Sequence, residues 1–186
     1  MAHASLIVIG SSAGGIEALL TLVSGLPRRL DTAICIAQHL PTSLPSHLPA
    51  FLTRLGTLPA SFPADGTRLL AGAIFLAPPA HDLTVIGEHV AVTPAQRVRS
   101  CPSVDRLFAS AASSYRSRVI GVILSGLLTD GTRGLQAVKQ AGGTTIIQDP
   151  LEAAYPSMPQ SAQDHCAIDY CLALIRIAPL LQELAG

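Results

Sequence analysis

The chain has 186 residues, a mass of 19.3 kDa and 12 basic against 12 acidic side chains, so its formal net charge is zero. This balance leaves no basic face for nucleic acid or for an anionic membrane surface, and an apolar content of 49% excludes a disordered chain. We therefore predict one globular domain over residues 1–186.

The predicted elements alternate between short β-branched runs and stretches of helical length. The first half contains a strand at Ser5–Gly10, a helix at Gly14–Ser24, a strand at Thr32–Ala37, a helix at Pro45–Leu55 and strands at Ala73–Ala77 and Leu83–Ile86, with a turn at Gly87. The second half contains a helix at Ser103–Tyr115 capped by Ser103, a strand at Val119–Leu124, a helix at Gly131–Ala141, a strand at Thr144–Gln148 and a helix at Cys171–Leu184, kinked or split at Pro179. Apolar strands separated by helices are typical of a mostly parallel sheet covered on both faces. The predicted fold is α/β, a three-layer, doubly wound arrangement.

Cysteine spacing and the N-terminus predict the cellular compartment. The four cysteines include no Cys-x-x-Cys pair, and no His, Asp or Glu grouping has the spacing of metal ligands, so we expect neither a metal nor another cofactor. The first arginine is Arg28, so the N-terminus lacks the positively charged start that is typical of a signal peptide. No apolar run approaches the roughly 18 residues that cross a bilayer. We expect a cytoplasmic protein with reduced thiols and no membrane insertion.

The turn after the first strand has the spacing Gly-x-Ser-x-Gly, from Gly10 to Gly14, with Ser12 in the middle. Small neighbours allow a strained strand-to-helix turn on which the serine hydroxyl is an exposed nucleophile. The amides of Ala13, Gly14 and Gly15 would face a developing oxyanion at the positive end of the helix.

Two other roles remain open for this turn. Ser11 or Ser12 could simply cap the following helix. A helix N-terminus could also hold the phosphate of a nucleotide. The dinucleotide fingerprint requires glycine where Ser12 stands, and the P-loop requires lysine where Ile16 stands, so both phosphate motifs fail.

Two further polar residues follow strands of the predicted sheet. His39 comes after the second strand, where its ring could take the proton of Ser12 and return it to a leaving group. Asp130 follows the strand Val119–Leu124 and could orient that imidazole. Because the carboxyl ends of parallel strands meet at one sheet edge, we expect all three residues to lie together.

Each of these residues also has a simpler interpretation. His39 could be structural or solvated, and Asp130 could be the N-cap of the helix that follows it. His81, after the third strand, is a rival histidine. Asp149 stands before a proline, which favours a turn.

Six sequence blocks resemble, in the same order, the catalytic domain of the CheB-type chemotaxis receptor methylesterases. The blocks are GSSAGG (10–15), AQHLP (37–41), APPAH (77–81), PSVDRLF (102–108), LSGLLTDG (124–131) and MP (158–159). The resemblance implies a serine hydrolase that removes methyl groups from glutamate methyl esters on chemoreceptors and often also deamidates receptor glutamines. It implies Ser12 as nucleophile, His39 as base and Asp130 as orienting acid.

The resemblance also implies a partner and a mode of action. The substrate would be the methylated cytoplasmic helices of a chemoreceptor, and the amide near Leu127 would help to bind the oxyanion. The first strand starts near residue 5, which leaves no room for a receiver domain before it, so we expect either a stand-alone catalytic domain or one excised from a longer chain. Ala13, Leu128 and Cys101 stand where the family usually has threonine, glycine and arginine. The alternative is a catalytically idle interaction module with the same fold.

Overall fold

The computed structural model describes residues 6–40, 46–95 and 101–185. Its strands are β1 (Leu6–Ser11), β2 (Ala33–Gln38), β3 (Ala60–Ser61), β4 (Ile74–Leu76), β5 (His81–Ile86), β6 (His89–Pro94), β7 (Val119–Ile123), β8 (Thr144–Gln148) and β9 (Tyr170–Leu172). Its helices are α1 (Gly15–Ser24), α2 (Leu48–Leu55), α3 (Val104–Tyr115), α4 (Thr132–Gln140), α5 (Ser157–His165) and α6 (Leu174–Ala185), and a 3-10 turn follows α3 at Arg116–Arg118. Ser5 and Pro45, where a predicted strand and a predicted helix begin, lie outside the described residues.

Seven strands form one parallel sheet in the order β3-β4-β2-β1-β7-β8-β9. Successive residues of β1 point into two different apolar cores. Ile7 and Ile9 pack with side chains of α1, α2 and α6 on one face of the sheet, whereas Leu6 and Val8 pack with side chains of α3, α4 and α5 on the other. The sheet therefore has helices on both faces, and the predicted α/β fold class is confirmed.

The register of the three central strands aligns their carboxyl ends. Gly10 of β1 pairs with Ala37 of β2 and with Ile123 of β7. The residues that follow these strands consequently emerge at the same edge of the sheet. This alignment positions the segments after β1, β2 and β7 around one site.

Four elements were absent from the predicted set, and the predicted start of the last helix was wrong. Strands β3, β6 and β9 and helix α5 are short or largely solvent-exposed, so their apolar patterns are weak. Strand β6 pairs antiparallel with β5 around Gly87, in a separate two-stranded sheet. The last helix begins at Leu174 and not at Cys171, because Cys171 belongs to β9, which pairs with β8.

The helix α6 runs through Pro179 without the predicted split. A proline inside a helix removes the hydrogen bond to the carbonyl four residues earlier, here that of Ile175. Pro179 and Ile175 both lie on the exposed side of α6, where water can solvate a free carbonyl. The predicted cap of α3 is confirmed, since the Ser103 hydroxyl accepts a hydrogen bond from the amide of Arg106. No helix of the described ranges is both long and apolar enough to cross a membrane.

Candidate active site

Ser12 follows β1 on a turn whose backbone is held from two sides. Its amide donates to the Ser125 carbonyl at 3.0 Å, and its carbonyl accepts from the Gly15 amide at 2.9 Å. The N-cap of α1 is Gly14, with φ of 68° and no side-chain cap. A Cβ at Gly14 would lie 2.8 Å from Ser125 Oγ, so this position requires glycine for both its conformation and its space. The hydroxyls of Ser11 and Ser12 do not cap α1, and the predicted capping alternative is wrong.

Gln38, the last residue of β2, joins the ends of β1 and β2. Its Oε1 accepts from the Ser11 hydroxyl at 2.6 Å, and its Nε2 donates to the carbonyl oxygens of Ser12 at 2.8 Å and His39 at 2.9 Å. The side chain is buried, so these bonds also satisfy an amide that would otherwise lose its water contacts. The sequence reasoning did not select Gln38, although a polar amide at the end of an apolar strand, directly before His39, was the available signal.

Ser12, His39 and Asp130 form a continuous hydrogen-bonded chain. His39 Nδ1 lies 3.1 Å from Ser12 Oγ, and His39 Nε2 lies 2.8 Å from Asp130 Oδ2. The carboxylate accepts a hydrogen bond from Nε2–H, so Nδ1 carries no proton and is left as the acceptor for the serine hydroxyl. The imidazole is thus turned the opposite way from that of serine proteases, where Nε2 faces the serine.

The carboxylate of Asp130 caps α3, not its own helix. Oδ2 accepts from the Val104 amide at 2.9 Å and Oδ1 from the Asp105 amide at 3.1 Å. The N-cap of α4 is Gly131, which has no side-chain cap, so the alternative that Asp130 caps α4 is wrong. Burial opposes the charged form of Asp130, but hydrogen bonds from the His39 ring and from the two α3 amides outweigh it and lower the pKa of Asp130. The aspartate is held ionised beside the imidazole.

Ser125 holds the nucleophile turn against the loop after β7. Its amide donates to Oε1 of Gln148 at 2.9 Å, and its hydroxyl donates to the Ala13 carbonyl at 2.9 Å. The same hydroxyl accepts from the Tyr155 amide at 3.0 Å. The side chain of Ser125 is therefore a structural link between the loops after β1, β7 and β8, and the sequence reasoning missed this role.

The amides predicted to bind an oxyanion fall into two groups. The Gly15 amide donates to the Ser12 carbonyl at 2.9 Å and is engaged in the turn, which leaves the other predicted amides as the better candidates. The amides of Ala13, Gly14 and Leu127 form no hydrogen bond within residues 6–40, 46–95 and 101–185. These three N–H groups therefore remain candidate donors to an oxyanion.

A cleft of about 980 Å³ is lined by Ser12, His39 and Asp130, and Leu127 and Leu128 also lie on its wall. Leu128 adopts a left-handed conformation, with φ of 66°, and its side chain is 73% exposed. This conformation costs a leucine on the order of 1 kcal/mol relative to glycine, which adopts it freely.

The other candidate residues lie outside this arrangement. His81 is not part of the cleft wall; its Nδ1 lies 2.9 Å from the Pro79 carbonyl oxygen. The Asp149 carboxylate accepts from the Leu151 amide at 2.9 Å, in the predicted turn. Within the part of the chain that the structure describes, no three His, Cys, Asp or Glu side chains are grouped as metal ligands.

Comparisons with known proteins identify the family to which the chain belongs. The family model described as CheB methylesterase matches residues 7–181. A Leptospira interrogans protein named "Putative protein-glutamate methylesterase/protein-glutamine glutaminase" is 36% identical over 96% of this chain and 93% of its own length. "Protein-glutamate methylesterase/protein-glutamine glutaminase 1" of Bordetella avium is 37% identical over 97% of this chain and 53% of its own length. The crystal structure of the Thermotoga maritima CheB methylesterase catalytic domain superimposes with a TM-score of 0.90 and 30% identity, over 98% of this chain and 100% of that one. By sequence and by fold, the chain belongs to the CheB methylesterase family.

Proposed function

We propose that this protein is a protein-glutamate methylesterase in which Ser12 is the nucleophile, His39 the general base and Asp130 the residue that orients the imidazole. The observation that carries the proposal is the hydrogen-bonded chain from Ser12 Oγ through His39 to Asp130, with separations of 3.1 and 2.8 Å. Membership of the CheB methylesterase family supports the choice of ester.

Acylation starts when the Ser12 oxygen attacks the ester carbonyl carbon while His39 Nδ1 takes the hydroxyl proton. The carbonyl oxygen becomes an oxyanion, and the proposed donors to it are the amides of Ala13, Gly14 and Leu127, which form no hydrogen bond within the described residues. The ionised Asp130 stabilises the imidazolium that forms. When the tetrahedral intermediate collapses, the bond to methoxide breaks and His39 supplies its proton, so methanol leaves and Ser12 is acylated.

Deacylation repeats these steps with water as the nucleophile. His39 takes a proton from water as the oxygen attacks the acyl carbon, and a second oxyanion forms at the same donors. Collapse breaks the bond to Ser12, whose oxygen recovers the proton from His39. The product is the glutamic acid side chain, which releases its proton to solvent and leaves as the carboxylate. A glutamine side chain would follow the same route with ammonia as the leaving group, in agreement with the second activity in the names of the relatives.

The proposed substrate is the methylated helical segment of a chemoreceptor in the cytoplasm. The cleft is open to solvent at Leu127 and Leu128, which are 48% and 73% exposed. An open cleft suits an esterified side chain that projects from the surface of a folded protein, since the scissile bond must reach Ser12 without unfolding of the receptor.

The test is methanol release from a methylated receptor by wild-type protein and by Ser12→Ala. We expect the variant to lose turnover while it keeps the wild-type circular dichroism spectrum and unfolding temperature. Ser24→Ala is the matched control, because the hydroxyl of this exposed serine donates to the Thr21 carbonyl at the end of α1, and turnover of the variant should stay at the wild-type level. Unchanged turnover in Ser12→Ala would remove the proposed nucleophile.

A catalytically idle binding module is the second candidate, favoured by one observation: the strained Leu128 on the wall of the cleft. A fluorophosphonate probe separates the two functions, because it reacts with an activated serine. Labelling that is lost in Ser12→Ala supports the esterase. Absence of labelling together with receptor binding supports the idle module.

A further inference from the structure

The helices α3 and α4 begin in contact with each other beside the active site. A Cβ at Gly134, in the first turn of α4, would lie 2.6 Å from Phe108 Cβ and 2.9 Å from the Asp105 Cα. A Cβ at Gly131 would lie 2.7 Å from Val104 Cγ1. Only glycine allows this approach, so the two helix starts are close enough for the carboxylates of one to reach the amides of the other.

At each helix start, an aspartate carboxylate accepts hydrogen bonds from backbone amides at the start of the other helix. Asp130, at the start of α4, accepts from the Val104 and Asp105 amides of α3 at 2.9 and 3.1 Å. In return, Asp105 Oδ1 accepts from the Gly131 amide at 2.9 Å and from the Gly134 amide at 2.8 Å. The amides in the first turn of a helix have no acceptor within that helix, and each aspartate accepts from such amides of the other helix.

The bond from Gly131 to Asp105 acts directly on Asp130. The Gly131 amide belongs to the peptide group that also contains the Asp130 carbonyl, and a peptide group is planar. Fixing that N–H fixes the plane and, with it, the backbone from which the Asp130 side chain projects. The Gly134 amide, held by the same oxygen, fixes the next turn of α4.

The start of α3 is anchored on its other side as well. Asp82 is only 3% exposed, and its carboxylate accepts from the Ser103 amide at 2.8 Å and from the Arg106 guanidinium at 2.6 Å. The helix start that carries the two donors to Asp130 is therefore fixed both by β5 and by α4.

We propose that Asp105 is a positioning residue for catalysis: its Oδ1 holds the start of α4 so that the Asp130 carboxylate meets His39 in the productive orientation. This inference rests on the proposed esterase function. Asp105 lies on the cleft wall but forms no hydrogen bond to Ser12 or His39 within the described residues, and in this proposal it acts through the placement of Asp130.

In this proposal Asp105 acts through the hydrogen bonds that its Oδ1 accepts from the Gly131 and Gly134 amides. Burial raises the pKa of Asp105, and the neighbouring charge of Asp130 raises it further, although the amides of Gly134 and Gly131 and the charge of Arg133 act in the opposite direction. A neutral amide with an oxygen in the same place could accept from both N–H groups. Asp105→Asn keeps that oxygen and Asp105→Ala removes it, so the two variants isolate the acceptor.

The experiment measures kcat and KM for methanol release from a methylated receptor, with each rate divided by the amount of folded protein. We expect Asp105→Ala to lower kcat by about 10- to 100-fold, the scale of a misplacement of about 1 Å, with KM within about twofold. Asp105→Asn should keep kcat within about threefold of the wild type. Fluorophosphonate labelling of Ser12 should slow in Asp105→Ala by the same factor as kcat.

Asp169→Ala is the matched control for loss of stability alone. Asp169 also accepts a backbone amide, that of Thr145 at 2.9 Å, but it lies at the amino ends of β8 and β9, away from the cleft. This variant should keep the wild-type kcat per folded molecule. A wild-type kcat in Asp105→Ala, or an equal loss in Asp105→Asn, would overturn the positioning role.

A third variant decides the question if Asp105→Ala does not fold. Asp105→Glu keeps the carboxylate but moves the oxygens by one methylene, so we expect a lower kcat than in Asp105→Asn; the reverse order would show that charge is what matters. Turnover of the wild type in the same assay distinguishes failure of the esterase proposal from failure of the proposed role of Asp105. Absence of wild-type turnover contradicts the esterase function, whereas wild-type turnover that survives in Asp105→Ala contradicts only the role of Asp105.

Discussion

The substitution Asp130→Asn tests the acid of the proposed triad with almost no change in shape. In the structure, Oδ2 of Asp130 accepts from both His39 Nε2 and the Val104 amide, and Oδ1 accepts from the Asp105 amide. An asparagine has only one oxygen for these two places. If its NH2 group faces His39, the ring must accept at Nε2 and carry its proton on Nδ1, where it can no longer take the proton of Ser12.

The expected loss of activity is large and the expected loss of stability is moderate. The corresponding change in serine proteases lowers kcat by about 10,000-fold through the wrong tautomer, and we expect a loss of about 1,000- to 10,000-fold here. One α3 amide or the imidazole is left without an acceptor, which costs about 1–3 kcal/mol of unfolding free energy. The apolar cores on both faces of the sheet are untouched, so the variant should remain folded.

Methanol release from a methylated receptor gives the rate, and denaturant unfolding gives the stability. Asp169→Asn is the matched control, since Asp169 accepts from the Thr145 amide and from Lys139 far from the cleft. It should keep kcat within about twofold, because no group near Ser12 changes. A kcat for Asp130→Asn within about threefold of the wild type would mean that Asp130 only caps α3, and the triad assignment would be refuted.

Two further predictions concern the surroundings of Asp130. A Cβ at Gly10 would lie 2.2 Å from Val104 Cγ1, so Gly10→Ala should lower the unfolding free energy by about 1–3 kcal/mol and should reduce kcat by displacing the Val104 amide that donates to Asp130. Denaturant unfolding measures the first effect and methanol release the second. Wild-type values of both would show that α3 moves aside without cost. The pKa of Asp130 is lower in the folded than in the unfolded chain, so its stabilising contribution is present above the unfolded pKa of about 3.9 and is lost as the pH falls below it. Asp130→Asn should therefore lose less stability than the wild type between about pH 5 and pH 3 in denaturant titrations at each pH, and equal losses would contradict this linkage.

Much of the fold was predictable because its signals are local. Apolar β-branched runs in β1, β2, β7 and β8 are buried on both sides, and such runs identify parallel strands without any knowledge of their partners. The elements that escaped prediction have weak signals of this kind. Tyr170 and Cys171 of β9 are exposed at the edge of the sheet, so their strand conformation depends on pairing with β8.

The three residues of the candidate active site could be selected from the sequence. Ser12, His39 and Asp130 each follow a strand, and the carboxyl ends of parallel strands share one edge, so their proximity follows from the fold class. Two features of the site could not be predicted from the sequence: the orientation of the His39 ring and the hydrogen bond from the Gly15 amide to the Ser12 carbonyl. Both depend on hydrogen bonds among atoms whose positions the strand order alone does not define.

The amino-acid sequence by itself thus determined the alternation of strands and helices and the polar residues at the strand ends, because these follow from local hydrophobic period and chain order. Only the tertiary structure decided that Asp130 caps α3 and that Asp105 caps α4 in return. Those bonds join segments about 25 residues apart in sequence, across a helix contact that the glycines at 131 and 134 make possible. A carboxylate can satisfy any amide within reach, and which amides are within reach is a property of packing.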